Sequence, residues 1–176
     1  PDNLPFSAFL LSPSVSSIFA QNGEVIEVKG VSSESATLTL KDNGNLLAST
    51  TGTTLNHDIT VSGSGTHVVE FAADNGSQTL AQSFTYVVPL PTVTQALPAG
   101  ADLGINYLSD SEVLFALYAP QKQHVFLVGD FNDWTPSTDY QLKRTPDGTT
   151  WWIEIGGLTP GEFYAIQYIV DGEIRI

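Results

Sequence analysis

The strongest constraint on the fold of this chain is the near absence of helical spacing. No long segment places its apolar residues three or four apart, while alternating runs and turn dipeptides recur throughout. Val25-Ile26-Glu27-Val28-Lys29 predicts one strand and Ala36-Thr37-Leu38-Thr39-Leu40 the next, with Ala36, Leu38 and Leu40 sharing a face. Asp42-Asn43-Gly44 follows as a hairpin turn, because Asn and Gly tolerate the positive φ that such turns demand. Leu55–Val61 predicts a further strand, and the Ser62–Gly65 turn leads into His67–Ala73. Asp74-Asn75-Gly76 repeats the hairpin signal before Leu80–Val88. Short strands at this spacing predict an immunoglobulin-like sandwich over residues 1–88.

Pro89-Leu90-Pro91 closes that region, and residues 89–100 read as a Pro-rich linker or a stiff extended lead-in. From about Ile105 the pattern resumes with different punctuation. Val113–Tyr118, Val125–Val128, Thr150–Ile155 and Phe163–Val170 predict strands, separated by turns at Pro146-Asp147-Gly148 and Thr159-Pro160-Gly161. The expected class is all-β: two tandem antiparallel β-sandwiches, the second over residues 101–176.

Six Lys plus Arg stand against nineteen Asp plus Glu, a net charge of −13. Such a surface repels phosphate backbones and anionic headgroups, which argues against nucleic acid and membrane surfaces as partners, whereas a neutral ligand is indifferent to it. No apolar run approaches the roughly 20 residues needed to span a bilayer. With no cysteine, disulfides, thiolate metal sites and Cys nucleophiles are excluded. The chain begins at Pro1 without a basic leader, so any signal peptide is expected to be already removed. It stops at Glu173-Ile174-Arg175-Ile176 in mid-strand, as a fragment of a longer protein would.

One segment joins a buried-type strand to a presented indole. In Val125–Pro136, VFLVGDFNDWTP, the apolar run breaks at Gly129, and Asp130, Asn132 and Asp133 are turn formers around Phe131 and Trp134. Further on come Asp147-Gly148 with Trp151, Gly157-Leu158 with Pro160-Gly161, and Tyr168-Ile169-Val170-Asp171-Gly172. In this order the signals resemble the N-terminal β-sandwich of α-amylase-type glycoside hydrolases of family 13, a relative of the glycogen-binding modules of carbohydrate-binding family 48. The resemblance covers roughly the last 70 residues of the chain. The stretch Thr66–Val88 is similar to the last hairpin of bacterial immunoglobulin-like domains.

The resemblance implies a sugar resting on two aromatic rings beside a lysine. Trp134 stands at the first platform position, with Asn132 among its polar neighbours. Gln167 occupies the lysine position, and Ile174 falls where the second aromatic belongs. Trp134 thus has two readings: a sugar platform, or a half-buried ring that packs its turn or docks against the next domain. Trp151 shares a face with Ile153 and Ile155 and is expected in the core, while Trp152 falls with Glu154 on the outer face, available to a ligand. The candidate carbohydrate-binding residues are therefore Trp134, Gln167, Trp152 and Asn132.

No catalytic constellation is visible. Asp130 and Asp133 sit in one turn, whereas a glycosidase holds two carboxyls across a scissile bond. They are expected to bond turn amides instead. Asp42, Asn43 and Asn45 lack the spacing and closing Glu of a calcium loop. His57, His67 and His124 have no ligand spacing, so neither metal nor cofactor is expected. The resemblance implies the non-catalytic front of an extracytoplasmic bacterial α-glucan hydrolase, packed against a (β/α)8 barrel, with weak α-glucan binding as an added role. The alternatives are a dedicated starch-binding module, or a surface adhesion module of immunoglobulin-like units.

Overall fold

A computed structural model of the protein describes residues 4–175. It divides into two compact units after Val88, both all-β.

The first unit is a single curled sheet of β1 (Ala8–Ser12), β2 (Ser17–Phe19), β3 (Val25–Asp42), β4 (Asn45–Thr60), β5 (Gly65–Asp74) and β6 (Thr79–Val88). The order is β1-β3-β5-β6-β2, with β4 also paired to β3. Only β2 on β6 is a parallel pair within it. The runs around Val25 and Ala36 that read as separate strands form one 18-residue strand. A shift in its pairing with β4 between Val31 and Ala36 explains the sequence signal. There the Ser32 hydroxyl donates to the Glu34 carbonyl, and the strand bends. Its first half pairs with β1 and its second with β5. That bend folds Val28 and Leu38 toward one core with Leu40, Val69, Phe71 and Phe84, all buried. At the hairpin tip Asn43 and Gly44 take φ of 47° and 81°, the left-handed pair that the Asn-Gly sequence predicts. The ring of Phe71 lies where a Cβ on residue 30 would sit, so that position admits only glycine.

The second unit has two sheets. One is β7 (Gly104–Tyr107), β8 (Val113–Tyr118), β10 (Lys143–Arg144) and β11 (Thr150–Ile155), ordered β10-β11-β8-β7. The other is β9 (Val125–Gly129), β12 (Ile166–Val170) and β13 (Glu173–Arg175), ordered β13-β12-β9. Their shared core holds Val113, Phe115, Val125, Leu127, Trp151, Ile153 and Val170. The Trp151 indole is satisfied by donating to the Ala119 carbonyl at 2.9 Å. The strand expected from Phe163 begins only at Ile166. The Gly161 turn and the bonding of Ala165 to Asp130 keep residues 162–165 out of the sheet.

Residues 89–101 lie along this unit. Thr94 bridges Arg144 in parallel, and the Gln95 amide donates to the Arg144 carbonyl while the Arg144 amide donates to Val93. The Gln141 side chain clamps Leu90 through both its amide and its carbonyl. Leu97 and Ala101 pack on Leu114, Ala116 and Trp152.

Candidate functional site

Trp152 is not available to a ligand. Alternation does place it on the outer face of β11, but residues 93–101 cover that face and leave it 1% exposed. Its indole N–H donates to the Gln95 carbonyl at 3.0 Å, and the Lys143 ammonium stands 4.4 Å from the ring centroid. Period-2 reasoning gives the face of a strand, not what lies across it.

Trp134 is presented instead. β9 ends at Gly129, where a side chain would strike the Ala165 carbonyl and the Phe131 ring, so only glycine lets the loop before β12 approach this closely. A short 3-10 turn, Asp130–Asn132, follows. Asp133 and Trp134 then take φ of 52° and 57°. Two consecutive non-glycine residues in the left-handed region are strained, and a bulky aromatic there is an outlier that the surroundings must hold in place. They do so from several sides. The Trp134 amide donates to the Gly129 carbonyl at 3.0 Å, and the Asn132 carboxamide accepts the Gly129 amide at 2.9 Å. Asp130 accepts the Trp134 indole N–H on one oxygen at 2.8 Å and the Ala165 amide on the other at 2.7 Å. The result is an indole 44% exposed with its polar edge already engaged.

Those bonds, first from Ala165 and then from Trp134, hold the Asp130 carboxyl below the usual carboxylate range. It stays ionised as an anchor. Asp130 was expected to bond its own turn; it reaches instead to the indole and to the chain before β12. That link was legible only as an Asp four residues before a Trp. The Asn132 side chain accepts from the Gly129 amide and donates to the Leu127 carbonyl at 3.4 Å, so it braces the turn.

Gln167 is partly buried in β12, paired with Val128. Ile169 follows two residues on, opposite Phe126. Phe126, Val128 and Ile169 are all buried, so the strand face carrying Gln167 is apolar beyond its one carboxamide. Ile174 pairs with Ile169, and its side chain lies outside the described residues. The Asp171-Gly172 turn is bound to the start of β9. Asp171 accepts the Gln123 and His124 amides at 2.8 and 3.1 Å, with Lys122 at 3.7 Å. Partial burial opposes its ionisation, yet these bonds and the nearby cations keep its carboxyl below the ordinary value.

In the first unit, Asp42 accepts from the Tyr86 hydroxyl at 3.0 Å and lies 2.8 Å from His67, whose ring stacks on Tyr86. This cluster knits β3, β5 and β6 together. Among the described residues no group of three or more His, Cys, Asp or Glu is placed to hold a metal ion, and no helix is long and apolar enough to cross a membrane.

Residues 102–176 match the family model of carbohydrate-binding module 48, the isoamylase N-terminal domain. Over 67 residues the chain is 37% identical to the 1,4-alpha-glucan branching enzyme GlgB of Chlamydia felis, covering 38% of this chain and 9% of that enzyme. Over 55 residues it is 44% identical to the 1,4-alpha-glucan branching enzyme GlgB of Deinococcus radiodurans, covering 31% of this chain and 8% of that enzyme. The chain thus spans about a tenth of the length of the curated relatives it matches. A pullulanase from Anoxybacillus sp. LM18-11 aligns over 89% of this chain and 24% of its own at 13% identity and a TM-score of 0.33.

Proposed function

We propose, from the match of residues 102–176 to the model of carbohydrate-binding module 48, that this chain is the non-catalytic N-terminal region of an α-glucan-active enzyme of the α-amylase type. It binds α-glucan weakly through Trp134 and positions the catalytic barrel of its parent. The observation that carries the binding role is the strained, half-exposed Trp134, its indole N–H held by Asp130. A ring that only packed its turn would need neither the left-handed backbone nor the exposure. An indole face covers the apolar face of a pyranose, and a neutral sugar does not meet the repulsion that a net charge of −13 sets against anions.

Binding is weak because the second ring is absent at Ile174 and Gln167 bonds a hydroxyl without charge assistance. The positioning role draws support from the relatives, in which the matching segment is a small part of a long enzyme. Those relatives are branching enzymes, which transfer α-glucan chains, so transfer stands beside hydrolysis as the parent's reaction. We propose a location outside the cytoplasm of a bacterium, on the resemblance of the Thr66–Val88 hairpin to the last hairpin of bacterial immunoglobulin-like domains. Titration with maltoheptaose, followed by tryptophan emission, tests the binding role. A saturable shift that vanishes in Trp134→Ala supports it; a flat response at millimolar sugar leaves Trp134 as a packing residue.

A further inference from the structure

A second aromatic groove opens in the same unit, at the edge formed by β7 and the loop between β11 and β12. Its volume is about 230 Å3. Phe163 is 99% exposed and Tyr107 80% exposed on its rim. Complete exposure of a phenylalanine forgoes the burial that makes such a side chain useful to folding. The loop that presents it is nonetheless ordered. The Glu162 amide donates to Thr159, Gly161 takes a φ of 81°, and the Thr159 amide donates to the Tyr164 hydroxyl at 3.0 Å. Phe163 is therefore held outward by a tight turn. Asp110 and Glu162 stand beside the rings, and neither carboxylate has a partner among the described residues. Among the described residues no Lys, Arg or His lines the groove.

We infer that this groove is a second subsite for a neutral oligosaccharide, with Tyr107 and Phe163 as stacking rings and Asp110 and Glu162 as hydroxyl acceptors. Open rings and free acceptors lining one groove suit a ligand that is apolar on its faces and rich in O–H donors at its edges. Anionic ligands are disfavoured by the two carboxylates and the lack of a cation. A purely apolar occupant would leave those carboxylates desolvated and unpaired. The choice of α-glucan as the sugar rests on the function proposed above; the groove itself does not involve Trp134.

The test is a maltoheptaose titration of the full 176-residue chain, followed by amide NMR, in wild type, Trp134→Ala and the double variant Tyr107→Ala/Phe163→Ala. Both groove rings are solvent-exposed, so the double variant keeps its core contacts. The expected result is sugar-dependent movement of the Gly161, Glu162 and Phe163 amides that persists in Trp134→Ala. In the double variant, affinity at the groove falls roughly tenfold or more. Groove amides that stay still while Trp134 responds overturn the second subsite and leave the platform standing. Movement at the groove with none at Trp134 supports the subsite and refutes the platform. A chain silent at both loses both.

Discussion

Trp152 and Trp134 are both tryptophans that local pattern places toward solvent, and the structure treats them in opposite ways. Trp152 lies on a regular strand, where no local strain is needed, and is roofed by residues 93–101, with its N–H satisfied by Gln95. Trp134 sits on a distorted turn and is held up to solvent by a carboxylate four residues earlier. The difference teaches that local pattern sets which way a ring faces, while distant segments decide whether that face is covered. It also separates stability from recognition: the buried ring holds its unit together, and the strained one is free to meet a ligand.

The largest expected effect comes from removing the buried ring. Trp152→Ala should destabilise the second unit by about 3–5 kcal/mol, as for other large core truncations, read from denaturant midpoints. A loss comparable to that of Trp134→Ala would erase the contrast. Trimming the roof sharpens it. Leu97→Ala should lower stability by about 1–2 kcal/mol and raise acrylamide quenching of Trp152 emission, because Leu97 is only partly buried in that contact. Next, Trp134→Gly should keep stability within about 1 kcal/mol, since glycine relieves the left-handed backbone while the ring's packing is lost. It should also abolish the sugar-dependent emission change.

The smallest effects are in pH. Burial holds the His124 imidazole below its ordinary 6.5, against the attraction of Asp171. The unfolded chain therefore takes up that proton first as pH falls. This contribution to stability is complete above about 6.5 and is lost as pH drops from there toward the folded value. The urea midpoint should decline as pH falls below the ordinary value of 6.5, and His124→Gln should flatten that slope. The carboxyl of Asp130 is likewise depressed, so its anchoring of Trp134 is present above the ordinary carboxylate value of 3.8 and fails only as pH falls below it. Trp134 quenching by acrylamide should rise in that acid window, and Asp130→Asn should show the raised level at neutral pH.

Most strands were legible because alternation and Gly-containing turns are local signals: the Asn43-Gly44 tip and Thr150–Ile155 stand where the pattern puts them. The presentation of Trp134 was legible too, as a strand ending in Gly129 before a run of turn formers. What was not legible depends on distant chain. The roof over Trp152 comes from a proline-bearing segment with no alternation. The Asp130 anchor reaches Ala165, 35 residues on. β2 was missed because it has only three residues, β1 because Ala8-Phe9-Leu10-Leu11 is apolar on both faces and shows no alternation, and β3 read as two strands because its bend interrupts the alternation at Ser32–Glu34.

The long β3–β4 hairpin has a kinetic consequence. Its pairing starts at Asp42 opposite Asn45 and extends outward to Val25 opposite Thr60, so each new pair closes only a slightly larger loop than the one before. The first unit can thus begin to fold by zipping away from a single tip, on the microsecond scale of hairpin formation, before β1, β5 and β6 arrive from farther along the chain. A substitution at Gly44 that resists its left-handed φ would act chiefly on how fast this unit folds.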